Sequence, residues 1–111
     1  MATSYKILGQ LAAASAVSAT ETIYTVPSST EAVLSTITIC NRGTAAINYR
    51  IAVRPDGTAV NTQHYIAYDA YVPGNDTIAL TLGISLNASD VLSGYAGNAN
   101  LTFNAFGAEI V

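Results

Sequence analysis

Apolar and polar residues alternate with a period of two over most of the chain, the spacing of a strand that buries one face. Residues 46–54 show it most clearly. Ile47, Tyr49, Ile51 and Val53 alternate with Asn48, Arg50, Ala52 and Arg54, so the first set predicts a core face and the second a wet or partner-contacting face. Residues 31–40 read as a longer strand with Val33, Ile37 and Ile39 on one face and Leu34, Thr36, Thr38 and Cys40 on the other. Asn41-Arg42-Gly43-Thr44 between these runs is a turn signal, and together they predict a hairpin. Residues 63–72 alternate again, which places Tyr65 and Tyr71 on one face and Tyr68 on the other. In residues 77–84, Ile78, Leu80, Leu82 and Ile84 fall in register. Residues 22–26, 91–96 and 101–110 supply the remaining strands. Residues 5–10 read as a short strand or an extended arm, and residues 11–18 as a loop or helical turn.

Turn residues punctuate these runs about every ten positions: Pro55-Asp56-Gly57, Pro73-Gly74-Asn75-Asp76, Asn87-Ala88-Ser89-Asp90 and Gly97-Asn98-Ala99-Asn100. Proline presets φ at such bends, and Asp, Asn and Gly tolerate the backbone they need. No segment carries helical periodicity over ten residues. Seven to nine short strands at this spacing predict an all-β, two-sheet sandwich, either Ig-like or jelly-roll-like. Residues 1–20 are an N-terminal arm or first strand, and residues 21–111 the sandwich domain.

Composition adds a constraint. In 111 residues half are hydrophobic, 10% are charged and the net charge is −3. The length suits one domain with a core of its own. An average soluble domain carries roughly 25% charged residues, so so bare a surface suggests coverage by other copies or by a host structure. The cations are Lys6, Arg42, Arg50 and Arg54, too few to follow a phosphate backbone, and nucleic-acid binding is not expected. No apolar run reaches the roughly 18 residues of a membrane-crossing helix. Lys6, Ile7 and Leu8 followed by an Ala/Ser run ending Ala16-Val17-Ser18-Ala19 imitate a secretory signal. Gln10 interrupts that run and only one positive charge precedes it, so an ordered or arm-like segment is the expectation.

Candidate chemistry is sparse. The one histidine, His64, and the one cysteine, Cys40, have no glycine-rich elbow or acidic partner at a diagnostic spacing, and a buried, inert thiol is expected of Cys40. Most of the carboxylates (Glu21, Glu31, Asp56, Asp76, Asp90 and Glu109) sit in or beside turn signals. Asp69, between Tyr68 and Tyr71, is the exception: it is either a solvated outer-face residue or an acceptor for phenolic hydroxyls at an interface. No zinc or calcium-loop spacing and no phosphate loop is present. The chain is therefore expected to be non-enzymatic and to need no cofactor or metal. The candidate interface residues are Tyr5, Lys6 and Ile7 near the N-terminus and Tyr65, Tyr68, Asp69 and Tyr71 in one strand, because tyrosine buries a large area while keeping a polar end.

The segments Tyr24-Thr-Val-Pro27, Glu31 to Gly43 and Tyr49 to Pro55, with Gln63 to Asp69 and Leu101 to Ile110, resemble small virion structural proteins of tailed bacteriophages, many of them aquatic or cyanobacterial. The resemblance covers nearly the whole chain and carries no catalytic residue. It implies a β-sandwich built into the particle, either as a capsid decoration (cement) protein that packs as a homotrimer on the major capsid protein, or as a tail, baseplate or fibre-associated domain.

Overall fold

A computed structural model describes residues 2–13 and 21–111. Eight strands are present among them: β1 (Thr3–Ala12), β2 (Glu21–Thr25), β3 (Glu31–Asn41), β4 (Ile47–Arg54), β5 (Tyr65–Val72), β6 (Thr77–Leu86), β7 (Val91–Ala96) and β8 (Leu101–Ile110). They form two four-stranded antiparallel sheets in the orders β1-β8-β3-β6 and β2-β7-β4-β5. The first strand pairs with the last, β2 with β7, β3 with β6 and β4 with β5. This is one long hairpin rolled up, closed by the β3–β8 and β4–β7 pairings. Of the two sandwiches the sequence leaves open, the topology is that of the jelly roll.

The 31–40 and 46–54 runs do not form a hairpin with each other. β3 and β4 lie in different sheets, and the turn between them crosses the sandwich. Asn41 makes that corner. Its buried Nδ2 donates to the carbonyls of Ala45, Val72 and Pro73 at 2.8, 3.1 and 3.2 Å, and its Oδ1 accepts from the Gly43 amide at 2.9 Å. The 73–76 turn docks on the same corner through the Asn75 amide and the Gly43 carbonyl, 2.8 Å apart.

The core between the sheets is made by Leu34, Ile37 and Ile39 of β3, Ile51 of β4, Leu92 of β7, and Leu101, Phe103 and Ala105 of β8. β4 follows its predicted alternation over Ile47, Tyr49 and Ile51, which are buried, but Ala52, expected on the wet or partner-contacting face, is buried as well, and Val53 is only partly so. β3 does not follow its own. Ala32 and Leu34 are buried, and then Ile37, Ile39 and Asn41, so the inward set changes parity in mid-strand. The cause is a bulge at Ser35: Leu34 pairs with Gly107 and Thr36 with Phe106, leaving Ser35 over. Its hydroxyl donates to the Phe106 carbonyl at 3.0 Å. Val33, expected beside Ile37, therefore faces outward, and so does Cys40, which is half-buried on the outer face rather than a core thiol.

The same irregularity crosses the whole sheet at the level of Phe106. In β1, Leu8 is the extra residue between the Ile7–Phe106 and Gly9–Ala105 pairs. In β6, Leu82 and Gly83 together stand opposite Ser35. Gly83 takes φ +66° there, and Leu82 is pushed outward instead of joining Ile78, Leu80 and Ile84. An extra residue reverses which alternate side chains face solvent. The sheet thus exposes one parity on each side of this crease.

β1 is a strand of its own domain, paired with β8 along its length. The reading of 11–18 as a loop or turn fails at Leu11 and Ala12, which belong to β1; Ala13 follows the strand, and residues 14–18, with the cleavage-like Ala16–Ala19 stretch, lie outside the described residues.

Candidate interaction surfaces

Two surfaces collect the sequence-derived interface residues, one on the outer face of each sheet. On the first sheet, the phase reversal at Leu8 turns Tyr5 and Ile7 outward, 86% and 53% exposed. Their cross-strand partners Ala108 and Phe106 share that face, as does Val33, the partner of Ala108 on the other side. With Thr3, Ser35 and Ile110 they line a shallow groove of about 680 Å³. Lys6 lines it as well. Its ammonium turns to Glu109 at 2.5 Å, and the other Glu109 oxygen accepts from the Tyr24 hydroxyl at 2.5 Å. This chain of three ties β1, β8 and β2 together at the sandwich edge. The Lys6 ammonium first, and then the Tyr24 hydroxyl, hold the Glu109 carboxyl below the ordinary carboxylate value, against the opposing effect of burial. Burial and the neighbouring carboxylate push the Tyr24 phenol well above its usual value.

On the second sheet, β5 is bulged twice against β4. Tyr65 pairs with Ala52 and Ala67 with Ile51, leaving Ile66 over; Ala70 pairs with Tyr49, so Tyr68 and Asp69 stand together opposite Arg50. The inward set is Ala67, Ala70 and Val72. Tyr65, Tyr68 and Tyr71 consequently share the outer face, rather than dividing between two faces as strict alternation predicts. Asp69 lies in the left-handed region at φ +52°, a conformation that Asp tolerates better than most residues. Its carboxylate receives Arg50 through Nε at 2.7 Å and Nη2 at 3.2 Å, and Asn48 Nδ2 at 3.1 Å. Those bonds, Arg50 first, lower the Asp69 pKa. The Arg50 guanidinium lies 4.2 Å from the Tyr68 ring centroid and 4.5 Å from that of Tyr95. Tyr68 and Tyr71 remain 58% and 68% exposed.

On the first surface, sequence reading missed Val33, whose outward direction depends on the bulge at Ser35, and also Phe106, Ala108 and Ile110, which regular alternation along β8 places on the face opposite Leu101, Phe103 and Ala105. It also missed Arg50 and Tyr95 on the second. The alternation in β4 did carry a signal for Arg50, which it places on the outer face; for Tyr95 the sequence reading assigned a strand but no face.

The remaining chemistry stays dispersed. Cys40 lies in the first sheet, and His64 precedes β5 of the second, where its Nδ1 accepts from the Asn61 amide at 3.0 Å. Asp90 receives the backbone amides of Asp56 and Asn87. Among the described residues no group of three His, Cys, Asp or Glu side chains is placed to hold a metal ion. Comparison of the chain with protein-family models, curated proteins and solved structures finds no match.

Proposed function

We propose that the chain is a non-enzymatic structural protein of a tailed-phage virion, a capsid decoration protein that cements the shell by packing its apolar outer face on the major capsid protein, with copies of itself as trimer partners. The observation that supports this reading is the apolar groove formed by Tyr5, Ile7, Val33, Phe106, Ala108 and Ile110, on a surface with few charges to keep it solvated. Such a patch on a small domain marks a protein-contacting surface. A covalent mechanism would draw on Cys40 and His64; Cys40 lies in the first sheet, and His64 ends the short helical turn that leads into β5 of the second. The virion as the assembly rests on the sequence resemblance.

Two measurements on purified particles test the reading. Gel densitometry should give a copy number commensurate with the major capsid protein. Particles lacking the chain should assemble but lose contents on heating or osmotic shock. Particles that withstand both treatments like the wild type and fail only in adsorption would overturn it. They would favour a tail, baseplate or fibre-associated module, which the exposed aromatic face of the second sheet supports.

A further inference from the structure

A corner beside the aromatic face has the shape and chemistry of a small-ligand site. Tyr65 and Tyr68 meet at 4.8 Å between centroids with their ring planes at 83°, so they form two walls. Val60, Asn61 and Thr62 complete a recess of about 510 Å³, within the roughly 300–1,000 Å³ of small-molecule pockets. The Tyr68 wall is held from behind: Arg50 stacks on it and is itself clamped by the Asp69 carboxylate. The Asn61–Thr62 edge is held by the capped turn, in which Asn61 Oδ1 accepts from the Thr62 amide at 2.9 Å.

Two features of this corner select the ligand's chemistry. Its lining carries no ionised group, and the nearest charges, Arg50 and Asp69, neutralise each other in a two-point pair. A charged ligand would gain nothing there. The exposed groups are aromatic faces plus an amide and a hydroxyl: Asn61 Nδ2 offers two N–H donors, and Thr62 offers an O–H that donates and accepts. A pyranose ring matches both. Its axial C–H face is apolar and stacks on an aromatic ring, while its hydroxyl rim takes amide and hydroxyl hydrogen bonds. We propose that the Tyr65–Tyr68 corner binds a neutral mono- or disaccharide, stacked on Tyr68 and hydrogen-bonded by Asn61 and Thr62. This site is on the opposite sheet from the apolar groove, so it holds whether or not that groove packs on a shell.

Saturation-transfer NMR on the purified full chain tests the proposal, with maltose, lactose, methyl α-mannoside and N-acetylglucosamine as probes at millimolar concentration. At least one probe should show transfer to its ring C–H protons. Tyr68→Ala should abolish that transfer, Tyr68→Phe should keep it because the ring face remains, and Tyr5→Ala should leave it unchanged. Asn61→Ala should weaken binding roughly three- to tenfold, the cost of one neutral hydrogen bond. No transfer from any of the four sugars overturns the proposal, and so does transfer that survives Tyr68→Ala in a variant whose circular dichroism is that of the wild type.

Discussion

Asn41 closes the end of β3 with both ends of its amide engaged, its Nδ2 shared among three carbonyls and its Oδ1 on the Gly43 amide. Truncation strands buried backbone acceptors on two turns at once. Asn41→Ala is expected to cost about 2–3 kcal/mol, read by urea denaturation as a lower midpoint with unchanged slope. Glu109 gives a prediction in pH. Its folded pKa is depressed by Lys6 and Tyr24, so folding favours the ionised form. The resulting stability is full above the unfolded carboxylate value of about 4.3 and is lost as pH falls through the lower folded value. Asp69, also depressed, adds a slope of the same sign, weakened by solvent screening because its side chain is 42% exposed. Glu109→Gln should therefore lower stability at pH 7 and flatten, without removing, the decline below about pH 4.3. An unaltered acid slope would show that the Lys6–Glu109–Tyr24 chain does not form. Tyr24→Phe, which leaves a Glu109 oxygen without its phenolic donor, should cost about 1.5–3 kcal/mol at neutral pH.

At the scale of elements, the strands were legible and their bulges were not. Alternation in β4 depends only on neighbours along the chain, and Ile47, Tyr49 and Ile51 stand where their spacing puts them. The phase of β3 depends on how Ser35 meets β8, a relation between residues far apart in sequence. The apparent continuity of Val33 with Ile37 was therefore misleading. The same limit hid the gathering of Tyr65, Tyr68 and Tyr71 on one face, which needs two extra residues in β5. Chain crossing was hidden as well, because the turn residues after β3 announce a bend and not the sheet it leads to. A deletion tests the bulge directly. Removing Ser35 leaves Ala32, Leu34, Ile37 and Ile39 at a strict spacing of two, so all four can stay in the core, whereas removing Thr38 puts Ile39 on the opposite face from Ile37. The expected loss for the Thr38 deletion exceeds about 3 kcal/mol, the scale of losing a buried leucine, and the Ser35 deletion should cost less. A Ser35 deletion with a denaturation midpoint no higher than that of the Thr38 deletion would mean that Ser35 is not the surplus residue. β1 should show its position too. It is an edge strand with one hydrogen-bonded neighbour, and its amides should exchange with deuterium before those of β8, which is paired on both sides.

As a whole, the molecule is a jelly roll whose two outer faces differ. One carries an apolar groove behind the crease. The other carries a ladder of tyrosines around a clamped arginine. The groove owes its apolar character to the crease, since the parity change sends Tyr5, Ile7 and Val33 out instead of in. A strand phase that exposes such residues is disadvantageous for an isolated domain and advantageous for one that docks. That link between local irregularity and assembly is the central claim, and hydroxyl-radical footprinting of the free protein against the intact particle tests it most directly. The account predicts that Tyr5, Ile7 and Phe106 are labelled in the free chain and protected in the particle. Equal labelling of these three residues in both states would contradict it.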